Sequence, residues 1–168
     1  MSRPATPPTR DELFAVLGGV MDPEVPVLSV VELGIVRDVE INETGVTVTV
    51  TPTYSGCPAM AVIGRDIEAA LNSRGIERVV VRTSYTPAWT TDWIPAAARE
   101  KLHAYGIAPP GAADHDVPIA IGRRRPPVRC PYCGSVDTQL RSEFGSTACK
   151  AIHVCRVCDQ PFEEFKAI

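Results

Sequence analysis

Cys130-Pro131-Tyr132-Cys133-Gly134 and Cys155-Arg156-Val157-Cys158 are two CxxC pairs with 21 residues between them. A CxxC turn presents two sulfurs to one metal ion, so two such turns brought together complete a tetrahedral four-thiolate site. Cys130, Cys133, Cys155 and Cys158 are therefore the candidate ligands. Zinc is the expected metal, held structurally. Iron in a rubredoxin-like or iron–sulfur site uses the same thiolates, so residue type alone leaves both open. A module of about 40 residues with few apolar groups needs such a staple to fold. The separation is a little longer than the common ribbon window of about 15–20 residues, and a hairpin across Thr138 to Val154 would use it.

Cys149 lies between the pairs and reads as a buried small hydrophobe. His153 is the substitute ligand to weigh, whereas His103 and His115 have no partner motif.

The remaining thiol is Cys57, in Thr51-Pro52-Thr53-Tyr54-Ser55-Gly56-Cys57-Pro58, at the end of a strand-to-helix loop. With Pro58 at the first helical position, Cys57 is expected to be the N-cap. The helix end would then lower its pKa and suit it to metal ligation, cluster transfer or nucleophilic work. An inert structural cysteine is the plainer alternative. Asp22 and Glu24, on the stiff Asp22-Pro23-Glu24-Val25-Pro26 loop, either approach Cys57 or cap nearby amides. No histidine is placed to form a Cys–His dyad, which disfavours a thiol hydrolase.

The elements that must carry these groups can be read from pattern. Thr9-Arg10-Asp11-Glu12 is a capping box ahead of a helical stripe of Leu13, Val16, Leu17 and Val20. Val39 and Ile41, then Val46, Val48 and Val50, alternate with polar residues around a glycine-containing turn, as in a hairpin. A helix with Ile63, Ile67, Ala70 and Leu71 inward follows, and Val79 to Thr83 forms a third strand. A last helix runs from Pro95 to its stop at Gly106. The expected fold is α+β: a small three-stranded sheet packed by helices, then a zinc-ribbon module. The division expected is a flexible tail over 1–8, an α+β domain over 9–107, a Pro/Arg-rich linker over 108–127, and the ribbon over 128–168.

Charge is uneven along the chain. Residues 1–122 carry 15 acids and 9 bases, and residues 123–168 carry 5 acids and 8 bases. The acidic body lacks a basic, aromatic-studded face, which argues against a nucleic-acid partner, and Arg123-Arg124-Arg125 reads as solvated linker. No apolar run spans a membrane and no signal peptide opens the chain, so a cytoplasmic protein is expected.

Residues Asp22 to Val36, taken with Thr51 to Pro58, resemble the metal–sulfur cluster assembly domain of iron–sulfur maturation factors, with Glu32 where that family often has Asp. Phe144-Gly145-Ser146-Thr147-Ala148-Cys149-Lys150-Ala151, set between the CxxC pairs, narrows the likeness. The combination resembles the phenylacetate-degradation D family, accessory components of phenylacetyl-CoA epoxidase. The resemblance implies a non-catalytic maturation factor that assembles or repairs an iron or iron–sulfur centre, with Cys57 as acceptor or transfer ligand. It implies partners among the oxygenase and reductase subunits, and it leaves open a homodimer bridging a cluster through Cys57. It also leaves a purely structural adaptor as the alternative. The sequence agrees that this is not the oxygenating subunit: it has neither paired Glu-x-x-His motifs nor a GxGxxG fingerprint.

Overall fold

The computed structural model describes residues 8–112 and 126–168. They form two compact units, divided between Ala88 and Trp89. His115, Arg123-Arg124-Arg125 and most of the expected linker lie outside the described residues.

The first unit opens with α1 (Arg10–Leu17), and the Thr9–Glu12 capping box is formed in both directions. Leu13 and Leu17 are its buried residues. The chain then runs through turns to the hairpin β1 (Val36–Asn42) and β2 (Gly45–Val50). The Asn42 carboxamide oxygen accepts from both the amide and the hydroxyl of Thr44 and so closes the turn. Gly45 sits at φ 146°, where an added Cβ would press on the backbone of Arg78 and lie 2.8 Å from its Cβ. α2 (Met60–Asn72) buries Ile63, Ile67 and Leu71, and β3 (Val79–Thr83) joins β2 in parallel. The sheet order is β1-β2-β3. Val39, Val46, Val48 and Val50 are buried, and on the opposite face of β2 the Arg82 guanidinium donates to the Thr49 hydroxyl.

The second unit takes more of the chain than the ribbon alone. It contains α3 (Ala96–Tyr105), β4 (Ile107–Ala108), β5 (Thr138–Ser142), β6 (Lys150–Cys155) and β7 (Pro161–Phe165). The boundary expected at residue 107 therefore differs from the observed division. Trp89 meets the Phe165 ring at 6.0 Å, and the Thr91 amide donates to the Ile168 carbonyl. The Arg99 guanidinium ties together the carbonyls of Thr91, Ile94 and Pro110. β4 pairs with β7, so a stretch expected as helix end and linker is an edge strand. The ribbon is accordingly a four-stranded sheet in the order β4-β7-β6-β5, not a lone hairpin. Gly106 ends α3 at φ 91°, and an added Cβ there would stand 2.8 Å from the Tyr132 hydroxyl.

Gly45→Ala should lower stability by about 2–4 kcal/mol, since both φ and the Arg78 backbone oppose a side chain. Denaturant unfolding would check this, and a change below about 0.5 kcal/mol would show that the turn relaxes freely.

Candidate functional site

The two CxxC turns are built alike. Gly134 donates its amide to the Cys130 carbonyl, and the Cys130 amide donates to the Ser135 carbonyl. In the second turn the Cys155 amide donates to the Gln160 carbonyl, the same five-residue span. Each turn needs a left-handed residue directly after its second cysteine: Gly134 at φ 76° in the first, Asp159 at φ 57° in the second. Asp tolerates this region better than most side chains, which explains a non-glycine there. Spacing revealed the ligands, and the same offset could have revealed Asp159 as the counterpart of Gly134.

The turns bring four sulfurs together. Cys130 and Cys158 are 3.7 Å apart and Cys133 and Cys155 are 3.5 Å apart, with all four sulfurs within 4.8 Å of one another. A tetrahedron with metal–sulfur bonds of ~2.3 Å has edges of about 3.8 Å, so the set fits a single zinc-like ion. Cys130 and Cys155 are buried against Ala108 and Phe162. Without metal the thiols share their protons unequally. The amides of Cys158 and Val157 bring Cys155 down to about 7 despite burial. At Cys158 the Gln160 amide pulls the other way, but burial and the neighbouring sulfurs push it up to about 12. A metal ion bound by all four sulfurs must displace their protons.

Cys149 and His153 lie outside this cluster. Cys149 is buried, with its sulfur 3.1 Å from the Thr147 hydroxyl. His153 is buried, stacks on Phe162 and bonds Glu164 through Nε2 at 2.8 Å.

The first unit frames Cys57 differently from the N-cap expectation. α2 begins at Met60 with Ala59 as its cap, so Cys57 precedes the cap by two residues. Pro58 and Ala59 form a lead-in turn closed by the Met60 amide on the Cys57 carbonyl at 3.4 Å. The half-buried thiol is raised, not lowered. Burial is the largest cause; bonds from the Ala59 amide and Tyr54 oppose it, and Glu24 and Asp22 add to it. The helix end does not prevail because the thiol stands outside the cap and faces two carboxylates.

Those carboxylates do not play equal parts. Asp22 is buried, and its Oδ1 accepts the amides of Glu24 and Val25 at 2.8 and 2.7 Å, bracing the Pro-rich loop. Glu24, held by that brace, is half-buried and contributes more than Asp22 to raising Cys57. Glu32 accepts from the Ser29 amide and hydroxyl, capping one helical turn that Gly34 ends at φ 70°. Tyr54 is the partner of Cys57 that the sequence did not announce. Among the described residues, the four tail cysteines are the group of three or more side chains close enough to enclose an ion.

Comparison with known proteins fits this division of the chain. Residues 114–166 match the PaaD zinc beta ribbon domain, and residues 10–82 match the iron–sulfur cluster assembly protein family. Across its whole length the chain is 47% identical to an Escherichia coli K12 protein named for the D subunit of 1,2-phenylacetyl-CoA epoxidase, whose own length is also fully covered. The chain belongs to the PaaD family. A PaaD ribbon thus follows an assembly-type unit with its own relatives. One is a Porphyromonas gingivalis iron–sulfur protein maturation auxiliary factor, 33% identical over 56% of this chain and 90% of that protein. The structure of a domain of unknown function from Bacillus anthracis is 30% identical, with a TM-score of 0.52, and spans 55% of this chain and 90% of that one. No helix among the described residues is long and apolar enough to cross a membrane.

The knuckle geometry makes a directional prediction. Gly134→Ala should speed metal loss to a chelator, whereas Asp159→Gly should hold metal at least as well and gain up to about 1 kcal/mol by relieving the left-handed strain. Release of metal to a colorimetric chelator reads both, and equal release from the two variants would refute the asymmetry.

Proposed function

We propose that this PaaD protein is an accessory maturation factor for phenylacetyl-CoA epoxidase, acting at an iron or iron–sulfur centre of a partner subunit and not itself catalytic. Cys57 is the transfer ligand, Glu24 the carboxylate that draws cationic cargo toward it, and Asp22 the residue that positions Glu24. The supporting observation is the grouping of Cys57 with two carboxylates on a unit related to iron–sulfur assembly proteins. The two carboxylates that add to the raising of Cys57 also favour a cation beside it. When a metal ion or cluster iron arrives, the thiol gives up its proton and the thiolate binds. Cys130, Cys133, Cys155 and Cys158 hold a structural zinc that keeps the second unit folded and available to the oxygenase or reductase.

A structural adaptor is the second reading, and the raised Cys57 favours it to the extent that a resting thiol is unreactive. Cys57→Ser separates the two. On the maturation reading it leaves folding and complex formation intact but lowers the partner's metal content and turnover severalfold. A fully loaded, fully active partner made with Cys57→Ser would decide for the adaptor.

Alkylation adds an independent test. Modification of Cys57, followed by peptide mass, should stay slow at pH 7.5 and climb only at a pH above that needed for an ordinary exposed thiol, because the thiolate is the reacting form and its pKa is raised. Glu24→Gln removes one raising charge and should move the profile to lower pH. Rapid modification at pH 7 in the metal-free protein would contradict this electrostatic account.

A further inference from the structure

Cys57 is kept in place by hydrogen bonds more than by packing. The stem of its loop is buried at Thr51 and Thr53, whereas Ser55, Gly56 and Pro58 around the thiol are exposed. The Cys57 amide donates to the Tyr54 carbonyl at 3.2 Å, which closes a turn over Ser55 and Gly56. Its carbonyl accepts the Met60 amide at 3.4 Å. Its sulfur accepts from the Ala59 amide and from the Tyr54 hydroxyl. Tyr54 therefore grips the cysteine twice, at the backbone and at the sulfur.

The ring is placed for that second contact. Tyr54 is half-buried. Among the described residues, chain neighbours aside, its Cε2 is the atom nearest to where a Gly56 Cβ would stand, at 4.0 Å. Cε2 adjoins the carbon that carries the hydroxyl, so the ring folds back along the turn with its hydroxyl end toward the cysteine. A hydrogen bond to a ligand sulfur orients it and draws off part of its electron density. Glu24 and Asp22 act on the same sulfur through space as anions, and the Ala59 amide belongs to the backbone at the helix entry. Of these groups, only the Tyr54 hydroxyl is a donor that substitution can remove. Tyr54→Phe deletes it while keeping both the ring and the carbonyl that closes the turn.

We propose that Tyr54 is the positioning residue of the transfer site, its hydroxyl donating to the Cys57 sulfur while a metal ion is bound there and so fixing the direction in which that sulfur is presented. This rests on the reading of Cys57 as transfer ligand and adds the residue that aims it.

The test uses the intact protein, its tail filled with zinc, and cobalt(II) as the probe ion. A sulfur-to-cobalt charge-transfer band that grows on titration and is missing from Cys57→Ser reports the ion at Cys57. Tyr54→Phe should weaken cobalt binding about tenfold, because the sulfur is no longer oriented. It should also move the band to longer wavelength, since a sulfur without the hydrogen bond gives up an electron more easily. A monofluorinated tyrosine at position 54, whose more acidic hydroxyl donates more strongly, should move the band the other way. Unchanged zinc content and melting temperature establish that each variant is folded. A Tyr54→Phe band and affinity equal to wild type overturn the role of Tyr54 and leave the transfer reading standing. Weaker binding with an unmoved band assigns Tyr54 to packing and overturns the role as well. A wild type with no Cys57-dependent band overturns the transfer reading and this proposal with it.

Discussion

The second unit depends on four sulfur atoms held within 4.8 Å of one another. Cys130 and Cys155 are fully buried, and the apolar group they join consists of Ala108 and Phe162 with Val128 and Cys158 at its border. Ala108 comes from β4, Phe162 from β7 and Cys155 from β6, so one small cluster links three of the four strands. Four protonated thiols in mutual contact are a weak core. Four thiolates around a cation are a strong one. The left-handed residues Gly134 and Asp159 exist to aim those sulfurs.

The two kinds of thiol in this chain illustrate one electrostatic rule with opposite results. Cys155 receives amide hydrogen bonds that, with the neighbouring sulfurs, bring it down to about 7 against the effect of burial. Cys57 receives an amide too, but burial and two carboxylates outweigh it.

Much of this was legible in advance. The capping box at Thr9, the β1–β2 hairpin, the third strand and the stop at Gly106 are set by local pattern, and each stands where the pattern places it. The CxxC spacing likewise named four side chains that converge. What sequence did not reveal was long-range partnership. Nothing local says that Trp89 will meet Phe165 or that Ile107 will pair with Glu163, 56 residues later by subtraction of their numbers. The Cys57 environment failed for a narrower reason. A proline after a cysteine suggests a helix start, but Pro58 opens a preceding turn, and a shift of two residues took the sulfur away from the cap.

The same reasoning accounts for the glycine and charges of the 144–151 run, which composition alone would assign to an ordinary loop. Glu163 is placed on β7 opposite Ile152, diagonal to Lys150 on the same face of the sheet, so the two meet only if the β6–β7 register is correct. A slip of β7 by one residue would carry Glu163 to the other face and leave each charge without its partner. Burial alone would raise the Glu163 carboxyl, yet the Ser146 amide and Lys150 hold it below the usual carboxylate range. The ion pair thereby makes one register much better than its neighbours while adding little to stability, which is the use of buried charge best suited to a surface loop. Strand register and loop conformation meet at this contact, and the loop keeps its shape only while the ribbon's strands keep theirs.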